Sequence, residues 1–252
     1  MDNDITVGII THKRTDILTK SWALHEKFTH YPILVVDNSC NTETQQWLEQ
    51  NKLKNMVNYI HEENIGFASA VNLLFNLVET AYIVILNPDV YVDMEYIDKL
   101  VKTHLRHAHN KIGILGCQLK DMRGTIYHNG IANCLREDGL YEPVNMGNVQ
   151  WKGKPYDLAV DGVSFAVALM DRNIFKKYQL DESYSLGYYE DADFCNQVRQ
   201  VGYTVWSTPK VCLQHELHAS WDTRPKWEMI RLARKNLKYY NEKWKCTGLL
   251  GD

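Results

Sequence analysis

The strongest constraint on the fold is an alternation, in the first half of the chain, of short apolar runs with segments of helical spacing. The apolar runs cover residues 5–10, 33–36, 57–60 and 81–86. Helical spacing covers residues 16–29, 42–51 and 66–79. Strands that are apolar throughout and alternate with helices are typical of a parallel sheet with both faces covered. The sequence therefore predicts an α/β fold.

A polar segment follows each of these four predicted strands. The segments are residues 11–14, 37–39, 63–66 and 87–89. Ligands of open α/β sheets bind beyond the carboxyl ends of the strands, so we expect a binding site at this edge. Each segment also has a simpler interpretation. The Asp37 carboxylate, for example, suits a nucleotide base or ribose, but it equally suits a helix N-cap or an Asx turn.

The second half of the chain has a more mixed pattern. Short strands are predicted at residues 112–119, 126–127, 163–170 and 204–206. Helices are predicted at residues 94–109 and 191–201, and Gly202 suits the C-cap of the second helix. Residues 131–160 show little periodicity and contain several glycines, so we expect a loop there.

Composition and charge exclude several classes of function. The net charge of −3 gives no reason to expect nucleic acid as a partner. The six cysteines show no metal-ligand or disulfide spacing, so reduced thiols in a cytoplasmic protein are expected. The N-terminus does not resemble a signal peptide, and no apolar run reaches the roughly 20 residues of a membrane span.

Residues 224–245 are rich in basic and aromatic side chains. A packed helix with a solvated basic face explains this composition. A helix that lies on a membrane surface explains it as well, so peripheral membrane contact stays open.

Two short motifs in the first half suit a phosphorylated ligand. Asn64-Ile-Gly66 precedes a predicted helix, and Gly66 lets the backbone approach a ligand at the helix N-terminus. The motif is neither the dinucleotide fingerprint nor a P-loop. Asn87-Pro-Asp89 ends a strand with one carboxylate, which suits Mg²⁺ or Mn²⁺ bridged to substrate phosphates. A plain Asn-Pro turn is the alternative.

The second half carries a concentration of acidic residues and several histidines. Glu190, Asp191 and Asp193 lie close together, as a general base of raised pKa requires, although acids also favour the first turn of a helix. His215 follows an apolar run and suits either a metal ligand or a core histidine. We interpret His104, His107 and His109 as one solvated helix face.

Taken in chain order, these motifs resemble glycosyltransferase family 2, especially its rhamnosyltransferase-like branch. The matching segments are VGIITHKR (7–14), VVDNS (35–39), NIGFASAVN (64–72), LNPDV (86–90), GTIYHNG (124–130), DGVSF (161–165), YEDADFC (189–195) and GY (202–203), with His215 and Ser220. The resemblance covers roughly residues 5 to 221. It implies the GT-A fold, with a Rossmann-like, mostly parallel central sheet flanked by helices and a mixed acceptor-side half.

The resemblance also implies roles for individual residues. Asp191 would be the general base and Glu190 would bind sugar hydroxyls. Asp161 and Gly162 would lie near the donor sugar and the acceptor. Asp89 and His215 would ligate Mn²⁺ or Mg²⁺, although Asn87 stands where many relatives have a first aspartate. The implied nucleotide-binding residues are Thr11, Arg14, Asp37, Asn64, Gly66, Asn72 and Asn87.

The implied reaction is a metal-assisted, inverting transfer of a sugar, such as rhamnose or another hexose. The donor would be a UDP-, dTDP- or GDP-sugar. The acceptor would be a saccharide or glycoconjugate, and a lipid-linked saccharide is one option. One domain is expected over residues 1–221, with a nucleotide-sugar half at 1–113 and an acceptor half at 114–221, followed by a helical extension at 222–252. The alternatives are an inactive sugar-binding module and a nucleotidyltransferase.

Overall fold

The computed structural model describes residues 4–12, 15–28, 30–60, 63–147, 156–184, 187–216 and 225–250. Its first half follows the predicted alternation of strands and helices. The strands are β1 (Ile5–Thr11), β2 (Ile33–Asp37), β3 (Met56–Ile60) and β4 (Tyr82–Leu86). The helices are α1 (Thr15–Phe28), α2 (Thr42–Gln50) and α3 (Phe67–Leu77).

These four strands pair in parallel within the central sheet. β1 lies between β2 and β4 and is parallel to both, and β3 adds to β2. Thr11 pairs with Asp37 in the β1–β2 register, so the polar strand ends lie side by side. The predicted α/β fold with strand ends at one edge is confirmed.

The second half completes the sheet in mixed orientation. Its elements are β5 (Val90–Tyr91), α4 (Tyr96–Arg106), β6 (Ile112–Lys120), β7 (Ile126–His128), β8 (Ile131–Leu135), β9 (Tyr141–Asn145), β10 (Leu158–Val160), β11 (Val167–Asp171), α5 (Arg172–Phe175), α6 (Glu190–Gln200), β12 (Thr204–His215) and α7 (Lys226–Trp244). The strand order is β10-β12-β6-β11-β4-β1-β2-β3. β11 is antiparallel to both β4 and β6 and joins the two halves into one sheet.

Apolar side chains cover both faces of this sheet. Along β4, Val84 and Leu86 point to the face covered by α1, α2 and α4. Ile83 and Ile85 point to the opposite face, which α3, α5 and α6 cover. Because successive strand residues point to opposite faces, a strand that is buried on both faces must be apolar throughout. This requirement explains the continuous apolar runs of the sequence.

The structure corrects the expected loop at residues 131–160. β8 and β9 form an antiparallel hairpin, with Ile131 opposite Asn145 and Leu135 opposite Tyr141. Gly139 adopts a φ of 77° in the connecting turn, which favours glycine. The hairpin is half-exposed, so its sequence lacks the strong apolar pattern that identifies the central strands.

His104, His107 and His109 do not form the single solvated helix face that we expected, and α4 ends at Arg106, before the second and third of them. His104 is buried, and its Nε2 lies 3.0 Å from the carbonyl oxygen of Ile112. His107 stacks on Trp206 and pairs with Asp157 at 2.9 Å. Only His109 of the three is exposed. The partners of both histidines lie outside the helix, and a helical pattern of polar residues does not reveal them.

The helix α7 is bound firmly to the rest of the protein. Tyr240 and Trp244 are buried in a cluster with Tyr184, Ala192 and Ile131. A search of the described residues for a helix with the length and apolarity of a membrane span finds none.

We predict that acid destabilises the protein through two buried histidines. Burial lowers the pKa of His25 and that of His128 to about 4, below the ordinary value of 6.5. The unfolded chain therefore takes up protons at a higher pH than the folded chain. Each histidine removes about 2 kcal/mol of stability between pH 7 and pH 5.

Neither ring nitrogen of His25 has a hydrogen-bond partner among the described residues. His25→Leu should therefore fold at pH 7 and lose less stability on acidification than the wild type. Urea unfolding at pH 7 and pH 5 measures this difference, with His30→Leu at an exposed position as the control. Equal acid sensitivity of His25→Leu and the wild type would contradict the assignment.

Candidate active site

A pocket of about 380 Å³ opens at the carboxyl ends of the parallel strands. This volume is within the range of small-molecule sites. Its lining combines the strand ends with the start of α6 and the β8–β9 hairpin. The lining residues are Ile10, His12, Asn38, Asn64, Gly66, Phe67, Asn87, Pro88, Asp89, Ile131, Pro143, Asn145, Ser164, Phe165, Ala166, Gly187, Tyr188, Tyr189, Glu190, Asp191 and Ala192.

One wall of the pocket joins the ends of β1 and β2 to the start of α3. Asn38 is buried, and its Nδ2 donates to the carbonyl of Gly66 at 3.0 Å. The carbonyl of Asn38 lies 2.8 Å from Nδ1 of His12. Asn64 Oδ1 accepts from the backbone N–H of Gly66 at 2.8 Å, and Gly66 has a φ of 83°. These contacts hold the N-terminus of α3, a helix of eleven residues, at the pocket.

Behind this wall lies the buried pair of Thr11 and Asp37. Thr11 Oγ1 donates to Asp37 Oδ1 at 3.0 Å, and the backbone N–H of Ser39 donates to the same oxygen at 2.8 Å. The other carboxylate oxygen, Oδ2, is buried without a partner among the described residues. Asp37 thus forms the Asx-type contact of the alternative interpretation, and neither Thr11 nor Asp37 is among the residues that line the pocket.

The segment Asn87-Pro-Asp89 leaves β4 at the floor of the pocket. The backbone N–H of Asn87 donates to the carbonyl of Ala166 at 3.0 Å. The carbonyl of Asp89 accepts from the backbone N–H of Glu216 at 2.9 Å. Residues next to β11 and β12 therefore fix the backbone on either side of Pro88, and the Asp89 carboxylate lies at the pocket.

His215 approaches Asp89 from β12. Its Nε2 lies 3.0 Å from Asp89 Oδ1, and its Nδ1 contacts the hydroxyl of Tyr127. Burial raises the pKa of Tyr127, so this hydroxyl keeps its proton. A tyrosine hydroxyl both donates and accepts hydrogen bonds, so His215 can carry its own proton on either ring nitrogen.

This donor set fits a divalent cation with an incomplete protein shell. A carboxylate oxygen and an imidazole nitrogen both suit Mn²⁺. The described residues contain no group of three or more histidine, cysteine or acidic side chains that could hold a metal ion. The remaining ligands would therefore be water or ligand phosphates, as is usual for Mg²⁺ in phosphate sites.

Glu190 and Asp191 form the acidic end of the pocket. Burial raises the pKa of both carboxyls, and the neighbouring charge of Asp191 raises that of Glu190 further. Asp191 accepts hydrogen bonds from the backbone N–H groups of Ala192 and Phe165, which favour its charged form. Glu190 Oε2 is buried without a partner among the described residues. Asp191 is thus the member of the pair that ionises more readily.

The third acidic residue of the cluster has a different environment. Asp193 is fully buried and accepts hydrogen bonds from Tyr184, Gln197, Lys243 and Trp244, each at 2.6–2.9 Å. It lies outside the pocket lining and ties α6 to α7. Breaking a buried ion pair of this kind typically costs about 3–5 kcal/mol.

The three residues before Glu190 all have positive φ angles. The values are 108° at Gly187 and 75° at both Tyr188 and Tyr189. A left-handed conformation costs a residue other than glycine roughly 1–2 kcal/mol. Among the described residues, only Cys40 and Lys111 share this conformation without being glycine. We call residues 187–189 the left-handed segment.

The structure does not bring every predicted site residue to the pocket. Asn72 binds the 180–182 segment, accepting from the backbone N–H of Leu180 at 2.8 Å and donating to Glu182 at 2.8 Å. Asp161 pairs with Arg199 at 2.8 Å. Gly162 pairs with Ile131 of the hairpin through backbone hydrogen bonds. Arg14 lies outside the described residues.

Several pocket residues were not predicted from the sequence. His12 and Asn38 stood in polar strand-end segments but were not singled out. Pro143 and Asn145 reach the pocket through the hairpin, which the sequence did not reveal. His128 lies behind this wall, with its Nδ1 2.9 Å from Asn145 Oδ1 and its Nε2 accepting from the backbone N–H of Ser164.

Comparison with known proteins gives a match to one family model. The model described as glycosyl transferase family 2 matches residues 6–152. No curated protein matches the chain. Many solved structures do match, at sequence identities that show the fold alone.

Three of these structures illustrate the similarity. GalNAc-T7, crystallised with UDP, GalNAc and Mn²⁺, has a TM-score of 0.66 and 13% identity over 96% of this chain and 56% of its own. The mannosyltransferase PcManGT from Pyrobaculum calidifontis, in complex with GDP-Man and Mn²⁺, has a TM-score of 0.61 and 13% identity over 93% of this chain and 61% of its own. S. aureus TarS 1–349 has a TM-score of 0.58 and 14% identity over 97% of this chain and 74% of its own. The chain thus spans little more than half of the first two proteins.

Proposed function

Since this chain belongs to glycosyl transferase family 2 and has the GT-A fold, we propose that it is an inverting glycosyltransferase. It transfers a hexose or deoxyhexose from a nucleoside diphosphate sugar to a hydroxyl of a saccharide or glycoconjugate. The observation that carries the proposal is the presence of Glu190 and Asp191, with raised pKa values, in the same pocket as Asp89 and the start of α3. Rhamnose as the sugar rests on the sequence motifs alone.

The wall at α3 is the proposed nucleotide site. Asn64, Gly66 and Asn87 line the pocket there, and the free oxygen of Asp37 lies behind them. Thr11 holds the other oxygen of Asp37. We add His12 and Asn38 to this set because they connect the strand ends to the helix N-terminus. UDP and GDP are candidate donor nucleotides because two structural neighbours bind them, and dTDP remains a third.

Asp89 and His215 are the proposed ligands of Mn²⁺ or Mg²⁺. A cation bound to them supplies a Lewis acid for the diphosphate. Tyr127 supports this role, because its hydroxyl can accept the Nδ1 proton of His215 and so leave Nε2 free to coordinate.

Asp191 is the proposed general base. Its carboxylate takes the proton of the acceptor hydroxyl while the acceptor oxygen forms a bond to the anomeric carbon. The bond from that carbon to the diphosphate oxygen breaks, and its electron pair leaves with the nucleoside diphosphate. Glu190, whose pKa is raised more strongly, keeps a proton and can donate a hydrogen bond to a sugar hydroxyl through Oε2.

Metal-dependent nucleotide binding tests the first half of this proposal. Calorimetry with UDP, GDP and dTDP should show binding that Mn²⁺ strengthens at least tenfold, or by about 1.4 kcal/mol. Asp89→Asn should lose this metal effect because it removes the ligand charge.

Asp157→Asn is the matched control for this binding experiment. Asp157 is similarly buried and also pairs with a histidine, His107, but it lies outside the pocket lining. A metal effect that survives in Asp89→Asn would refute the proposed metal ligand. No binding by any of the three nucleotides would favour the inactive sugar-binding module.

Activity as a function of pH tests the proposed base. Asp191→Asn should lower kcat about 10²–10⁴-fold without weakening nucleotide binding. The wild-type kcat should fall on acidification at pH values where an ordinary aspartate, with a pKa near 3.9, is still ionised, because burial raises the pKa of Asp191. Glu190→Gln keeps a donor at the same position and should reduce kcat less. Full activity of Asp191→Asn would exclude it as the base.

A membrane-bound acceptor is the proposed context of the reaction, at the inner face of a membrane. The exposed side of α7 carries Trp227 and Ile230, which are 63% and 45% exposed. Arg231 lies 5.7 Å from the centroid of the Trp227 ring, and Arg234 is exposed on the next turn. Cations around exposed apolar side chains are typical of helices that lie on anionic lipid surfaces.

Vesicle sedimentation tests this membrane contact. We expect the protein to bind vesicles of anionic phospholipid and not vesicles of phosphatidylcholine, and we expect Arg231→Glu/Arg234→Glu to lose most of this binding. Lys52→Glu/Lys54→Glu is the control, because it changes the net charge equally at exposed positions after α2. Equal loss of binding in both double variants would indicate a general charge effect and contradict a dedicated surface.

A further inference from the structure

The left-handed segment needs support from outside itself, and α7 provides it. Tyr189 is the N-cap residue of α6 and makes no side-chain capping hydrogen bond. Two tyrosines in succession have no local preference for positive φ, since this conformation favours glycine and, less strongly, asparagine. Residues of this kind persist where the surrounding structure holds them, often at functional sites.

Asn236 makes the decisive contacts. It lies on the inner face of α7 and is 1% exposed. Its Nδ2 group donates to the carbonyl of Gly187 at 2.9 Å and to the carbonyl of Tyr188 at 3.2 Å. One buried amide therefore satisfies two successive carbonyls of the left-handed segment and fixes the orientation of both peptide planes.

Tyr240 extends this support by one helical turn. Its ring packs against that of Tyr189, with centroids 6.1 Å apart. Its hydroxyl accepts from Asn196 Nδ2 of α6 at 2.7 Å and donates to Asn133 Oδ1 of the hairpin at 2.8 Å. The position of Asn236 relative to α6 is thus determined by contacts on both sides of the acidic pair.

We propose that Asn236 is a positioning residue for Glu190 and Asp191. By binding the carbonyls of residues 187 and 188, it holds the left-handed segment in the conformation that presents both carboxyls to the pocket. This proposal rests on the proposed function at one point, which is the role of Asp191 as the general base. Asn236 itself lies outside the pocket lining.

Asn241 offers a matched control on the same helix. It is 3% exposed, and it also binds backbone through its side-chain amide. It accepts from the N–H of Tyr141 at 2.7 Å and donates to the carbonyl of the same residue at 2.8 Å. Its backbone partner is thus the hairpin and not the left-handed segment. Leucine has the same branching at Cγ as asparagine but no polar atom, so Asn236→Leu and Asn241→Leu remove comparable hydrogen bonds without introducing charge.

Hydrogen exchange on the full chain tests the positioning without any need for activity. Backbone amides of residues 187–192 should exchange at least tenfold faster in Asn236→Leu than in the wild type or in Asn241→Leu. Exchange is compared at a fixed interval below the melting temperature of each variant. Unchanged exchange in Asn236→Leu, or equal acceleration in both variants, would overturn the proposal. If Asn236→Leu does not fold, Asn236→Ala and Asn241→Ala are compared in the same way.

Kinetics separate this proposal from the proposed function. Asn236→Leu should lower kcat 10–100-fold and leave KM for the donor within threefold. It should also move the acid limb of the kcat–pH profile to lower pH, towards the pKa of an ordinary aspartate. Asn241→Leu should leave the acid limb where it is. A wild-type protein without transferase activity would refute the proposed function, whereas the exchange result would still decide whether Asn236 holds the segment.

Discussion

The parallel hydrogen bonding of β1 to both β2 and β4 is the constraint on which the pocket depends. β1 is buried along its whole length, and a shift of one residue would turn its apolar side chains towards the wrong faces. The register is therefore fixed, and it places Thr11 beside Asp37 at the same edge as the end of β4. The strand register alone therefore brings together the polar residues that follow these strand ends, and no direct interaction among those residues is required.

The acidic end of the pocket depends on a different set of interactions. No parallel strand leads directly into Glu190 and Asp191. Their position follows from the docking of α6 on the sheet through Phe194 and Val198, and from its attachment to α7 through Asp193. The pocket thus has one side defined by sheet register and another defined by helix packing. A change in helix packing can alter the second side while the first stays intact.

The sequence predicted the fold because burial on both sheet faces leaves a strong pattern, seen in the runs around Ile9 and Ile85. It also placed Asn64, Asp89 and Asp191 among the candidates, and the structure brings these three into one pocket. Their chemical roles stay predictions. The β8–β9 hairpin was missed because a half-exposed hairpin has only a weak pattern. The conformation of Tyr188 and Tyr189 could not be predicted at all, because tyrosine gives no signal for positive φ and the residue that holds them lies far away in sequence.

The dependence of residues 187–189 on α7 has a consequence for the order of events on the ribosome. The strands β1 to β4 and the polar segments that follow them are synthesised within the first 89 residues, whereas Asn236 follows α6 by more than 30 residues. A nascent chain therefore carries its acidic pair for a time without the amide that holds the preceding carbonyls. Completion of the pocket is a late step, made by a helix that contributes no side chain to its lining.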